Sequence, residues 1–153
     1  MRRNARHRFP RRSAVAGAMS LFTLLALMPG QASASACSDS CRLEGARSYI
    51  RALVTHDSSD VPLHPRATRV EQGIKTGYSG RQLRADLAHG PQYRLIGGVH
   101  DVHDEVVDGV VHTDYALDVG TADARLTTVR VRETFTYDEA AIRTITARIY
   151  LPS

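Results

Sequence analysis

The stretch VHDVHDEVVDGVVHTDYALDV, residues 99 to 119, reads as two alternating runs folded about a single turn signal. Asp108-Gly109 is the pair that a two-residue type I′ hairpin turn favours, because both central residues need a positive φ. The turn sets Val107 against Val110. His103 then faces Asp114, Asp104 faces Thr113 and Glu105 faces His112, and a slip by one residue would turn every side chain to the other face. Val102, Val106, Val111, Tyr115, Leu117 and Val119 form an apolar face, interrupted by His100, Asp104 and Thr113. His103, Glu105, His112 and Asp114 share the opposite face.

Working outward, alternating runs at 93–106, 110–119, 126–137 and 142–151 predict an antiparallel meander. Setting Leu117 against Val129 brings Thr113 opposite Glu133, and setting Phe135 against Ile145 brings Ala147 beside Glu133. Asp104, Thr113 and Glu133 then stand in one line, the two acids roughly 9 to 10 Å apart. Glu133 shares its face with Val129, Val131, Phe135 and Tyr137, where a carboxylate is costly unless it is paired or wet. Upstream, Ala46, Tyr49, Ile50, Leu53 and Val54 recur at three and four, predicting a helix over 39–55. Val61 to Pro65 predicts an extended loop, 68–74 a short strand, and Ser79 with Gln82 a capping box that opens a helix over 80–89. Helices followed by consecutive strands predict an α+β fold, with helices packed on a curved antiparallel sheet of four to five strands that encloses a pocket.

The first twelve residues hold six arginines and no acid, and an apolar run from Ala14 to Met28 follows. Pro29-Gly30 ends the run before Ala32-Ser33-Ala34, a cleavage site overlapped by Ala34-Ser35-Ala36. Residues 1–34 are therefore expected to be a signal peptide, with cleavage after 34 or 36; the Sec and twin-arginine routes both remain open. The apolar run is shorter than the roughly 20 residues of a membrane span. Removing residues 1–34 takes six of the 20 basic residues and none of the 16 acidic ones. The remainder, 35–153, is near neutral and argues against a nucleic-acid partner. It has the length of one domain. Its two cysteines, Cys37 and Cys41, are expected to form a disulfide in an oxidising compartment, pinning the start of the first helix.

Helix one ending in Leu53-Val54-Thr55-His56-Asp57, then Val61-Pro62-Leu63-His64-Pro65, then Arg69-Val70-Glu71-Gln72-Gly73 and a long meander, resembles the nuclear transport factor 2-like, SnoaL-like superfamily, and within it an exported branch. The resemblance implies a cone around an apolar pocket, in enzymes and non-enzymes alike. It also places Glu71, which matches a family glutamate, near the pocket mouth as a base or a structural acceptor.

The expected site joins Glu133, Asp104 and Glu71 as acid–base residues to Thr113, Tyr115, His100 and Tyr49 as ligand contacts. The leading reading is an exported domain that binds a small apolar or amphipathic molecule, with acid–base catalysis by pocket carboxylates. Two others stay open: a non-catalytic secreted or cell-envelope binding module, and a metal-binding protein using the His and Asp residues of the hairpin. Hydrolase, nucleotide and zinc-protease motifs are absent, no cofactor is called for, and a homodimer is compatible with such a domain. N-terminal sequencing of the exported protein should begin at Ser35 or Cys37; an intact Met1 on a membrane-embedded product would overturn the leader assignment.

Overall fold

In the computed structural model, residues 37–121 and 124–152 are described; the signal peptide expected over 1–34 lies outside the described residues. The elements run α1 (Asp39–Thr55), β1 (Leu63–Glu71), β2 (Ile74–Gly77), α2 (Gly80–His89), a 3-10 turn at Tyr93–Leu95, β3 (Ile96–Val107), β4 (Val110–Thr121), β5 (Ala124–Asp138) and β6 (Ala141–Tyr150). They build an α+β fold, two helices on one sheet, whose strand order is β2-β1-β6-β5-β4-β3.

Both helices match their expected spans. α1 is capped by Ser38, whose side chain accepts from the Cys41 amide, and the Cys37–Cys41 disulfide closes the same turn. α1 ends at His56 in the left-handed conformation, φ 58°. Only half of the expected capping box forms on α2. Ser79 Oγ accepts from the Gln82 amide, but the Gln82 side chain turns back to accept from Tyr78 N.

The sheet departs from expectation in two ways. It has six strands instead of four or five, and it is mixed, because β1 runs parallel to β6. The segment around Thr68 to Ile74 is a hairpin, turning at Gln72 and Gly73 with φ of 50° and 82°. β1 also begins earlier, inside the expected loop. Pro65 is accommodated because the register with β6 is irregular between Leu63 and Thr68, so no ladder bond is asked of it. Tyr93, expected in a strand, sits in the 3-10 turn.

The meander keeps its expected register. Asp104 pairs with Thr113, Thr113 with Glu133, and Glu133 with Ala147. The inner row of β4, β5 and β6 closes on α1, where Tyr49 meets Phe135 edge to face at 5.5 Å between ring centres. Leu83 and Leu87 of α2 complete the core.

α2 docks closely. A Cβ at Gly80 would stand 2.2 Å from the His64 carbonyl oxygen of β1. Alanine is the better helix former by up to about 1 kcal/mol, yet here the backbone contact decides the sign. Gly80→Ala should lower the thermal midpoint, at a cost of about 1 to 3 kcal/mol; an unchanged or raised midpoint in calorimetry would refute the close docking.

Candidate functional site

Four strands assemble the site around one carboxyl group. Glu133 of β5 pairs with Ala147 of β6, and Ala147 pairs with Glu71 of β1. The row that starts at Asp104 therefore crosses five strands and ends on a second glutamate. The methyl group of Ala147 leaves space between the two acids. Arg69, two residues before Glu71 and so on the same face, fills part of it: its Nη2 lies 2.8 Å from Glu71 Oε2, and its Nη1 donates to the Tyr93 hydroxyl at 2.7 Å. From β4, Tyr115 donates to Glu133 Oε2 at 2.9 Å, reaching diagonally from its own partner Val131.

Above this polar floor lies a cavity of about 180 Å³, its walls including Leu53, Leu95, Leu117, Val131 and Ile149. Glu133 is 2 % exposed. Burial raises its carboxyl to about 7; the nearby Arg69 charge and the Tyr115 hydrogen bond pull the other way, and Glu71 adds to the rise. Burial likewise drives the Tyr115 and Tyr49 hydroxyls well above the ordinary tyrosine value, so both stay protonated donors.

The structure gathers Glu133, Glu71 and Tyr115 of the expected set at this cavity. Asp104 keeps its face but belongs elsewhere: Arg47 of α1 grips it through Nε at 2.6 Å and Nη2 at 2.9 Å. Thr113 is buried between the two acids, its hydroxyl on the Glu133 backbone carbonyl at 3.4 Å. Tyr49 is wholly buried in the core, its hydroxyl unpartnered among the described residues. His100 is corrected outright. The register of β3 shifts between His100 and His103, where Asp101 takes φ 52°, and this bulge turns His100 to the outer face. There it bridges Asp101 at 3.0 Å and Asp118 at 3.3 Å.

Arg69 and Tyr93 were missed. The alternation Arg69-Val70-Glu71 carried the signal for Arg69, since residues two apart on a strand share a face. The hairpin pairs His103–Asp114 and Glu105–His112 form as expected, but Asp114 is engaged by Arg130 and Arg132. Among the described residues no three His, Cys, Asp or Glu side chains converge to hold a metal ion.

With this geometry in hand, a family model described as "Domain of unknown function (DUF8021)" matches residues 36–149. The chain belongs to this family. No curated protein matches it in sequence. Among solved structures, this DUF8021 domain is similar to an LEH-like epoxide hydrolase of M. tuberculosis (16% identity, 72% of this chain and 84% of that one, TM-score 0.60). It is also similar to an NTF-2 like protein of unknown function from Burkholderia xenovorans LB400 (13%, 74% and 86%, 0.60). A cystatin fold protein from Novosphingobium aromaticivorans matches too (14%, 69% and 95%, 0.57). At these identities the likeness is one of fold, the cystatin and NTF-2 like fold that the resemblance implied.

Glu133 also couples stability to pH. Its folded value, about 7, stands above its ordinary 4.5, so between these values the native state holds a proton that the unfolded chain releases. The stabilisation is complete below about 4.5 and is lost as pH rises through about 7, a change of about 3 kcal/mol. Urea unfolding across that window should show this slope in the wild type and a flattened one in Glu133→Gln; equal slopes would mean that Glu133 titrates as an ordinary acid.

Proposed function

We propose that this protein is an exported domain that binds a small, largely apolar molecule bearing one oxygen function, and that Glu133 exchanges a proton with that oxygen. One observation carries the reading: a carboxyl group 2 % exposed on the floor of a cavity whose walls are mainly apolar. A group poised near neutrality is present both as acid and as base at physiological pH, which is what general acid–base transfer requires. Tyr115 fixes one carboxyl oxygen and so aims the other. Arg69, held by Glu71 and Tyr93, supplies a cation beside negative charge that develops during transfer. One protein similar in fold is an LEH-like epoxide hydrolase, and an epoxide is a molecule bearing one oxygen function of the kind proposed here. Export is supported by the Cys37–Cys41 disulfide, which suits an oxidising compartment. No helix among the described residues is long and apolar enough to cross a membrane.

The size of the cavity favours a second reading. About 180 Å³ is below the roughly 300 to 1,000 Å³ of most ligand pockets, so a binding module that holds a very small molecule without turning it over is the alternative. Styrene oxide serves as probe for both. If Glu133 is the proton donor, Glu133→Gln lowers hydrolysis by at least about 100-fold and leaves binding within a few-fold. Binding without turnover in the wild type would establish the module. Neither binding nor turnover with styrene oxide or with a comparable small ketone would overturn both readings.

A further inference from the structure

The sheet face turned away from Glu133 collects arginines. Arg130 and Arg132 of β5 and Arg148 of β6 alternate with the buried Val131, Glu133 and Ala147, which places them on the outer face. In register, Arg132 stands directly opposite Arg148. The outer face of an antiparallel sheet is ordinarily polar, but cross-strand neighbours favour opposite charges, and like charges set directly opposite are destabilising. Here like faces like, and a third guanidinium lies next in line.

Among the described residues one carboxylate is ion-paired to this group. Asp114 accepts from the Nε–H of Arg130 and from the Nε–H of Arg132, the latter at 2.8 Å. Both guanidinium groups are thereby fixed through one donor each, leaving their terminal NH2 donors outside that contact. Arg132 is steadied further by the Tyr150 ring, 5.3 Å from its central carbon. Asp114 cannot answer Arg148, which lies two strands away, roughly 9 to 10 Å. No other carboxylate of the described residues comes within 4.0 Å of Arg148. Beside the arginine pair, Thr134 faces Thr146 across β5 and β6. These groups line a groove of about 470 Å³, inside the usual range for a small ligand; its β3 and β4 side carries His103 and His112 together with the carboxylates Glu105 and Asp114.

We propose that this groove binds the phosphate or sulfate group of a small ligand, seated between Arg132 and Arg148 with the Thr134 and Thr146 hydroxyls as further donors. A tetrahedral oxyanion converts the opposed pair from a repulsion into a shared clamp, because each planar guanidinium presents paired N–H donors matched to two oxygens. The site lies on the opposite side of the same strands from the cavity over Glu133, and the β5 strand at Glu133 borders both.

Inorganic phosphate and inorganic sulfate are the probes, with sodium chloride at equal ionic strength as reference. Calorimetric titration should show phosphate binding that weakens at least about fivefold in Arg148→Gln, the loss of a charge-assisted contact. Thermal scans supply a second sign. Without oxyanion, Arg148→Gln should be at least as stable as the wild type, since it relieves the repulsion; phosphate should raise the wild-type midpoint above the chloride reference and leave the variant's unmoved. Arg148→Lys, which keeps the charge and loses the fork, should fall between. An equal rise in chloride and phosphate, or equal responses of wild type and Arg148→Gln, would overturn the site by reducing the effect to screening.

Discussion

A carboxylate sealed from water loses hydration worth several kcal/mol, and Glu133 is sealed on nearly every side. Its neighbours answer that cost. Tyr115 donates to one oxygen at 2.9 Å, and Arg69 supplies a nearby cation that Glu71 and Tyr93 hold in place. Ala147 stands beside the acid where a larger residue would close the cavity. Together these offset only part of the cost, so the carboxyl keeps its proton to about pH 7. A fully paired glutamate would be structural and inert, and a fully exposed one would stay ionised. The intermediate arrangement gives this residue both forms at the pH where a protein works.

The fold side of this was largely legible because hairpin geometry is local. Asp108-Gly109 fixed one pairing, side-chain alternation carried it from β3 to β6, and Asp104, Thr113, Glu133 and Ala147 fell into line as expected. What escaped depends on contacts between distant segments. The parallel pairing of β1 with β6 joins residues more than seventy apart in sequence, and no local pattern marks it. Yet that pairing brings Glu71 and Arg69 to Glu133, so the site's second half was out of reach. His100 failed for a smaller reason: one inserted residue at Asp101 inverted its face.

Asp104 shows how parity differs from function. It lies in the row with Glu133 and on the same face, and sequence alone joins them as a pair. The structure sets Thr113 between them and gives Asp104 a bidentate partner on α1. A carboxylate in that geometry tethers helix to sheet. Glu71 takes its place near Glu133, reached across Ala147 instead of across Thr113, because the side with the smaller neighbour is the side left open.

Net charge conceals a similar division. Residues 35–153 are close to neutral, which argued against a nucleic-acid partner, yet the strands sort the charges. β5 and β6 place Arg130, Arg132 and Arg148 together outside, while the acids of the same region are divided between Asp114 and Glu105 on the outer face and Glu133 and Glu71 within. Alternation is the cause. Residues 130 to 134 send cations and a threonine outward and an acid inward from one short run of β5, so a single strand faces an apolar cavity with a proton carrier and solvent with a cationic groove. An average over the sequence cancels these charges; the sheet, two side chains thick, keeps them on opposite sides where they cannot pair with one another.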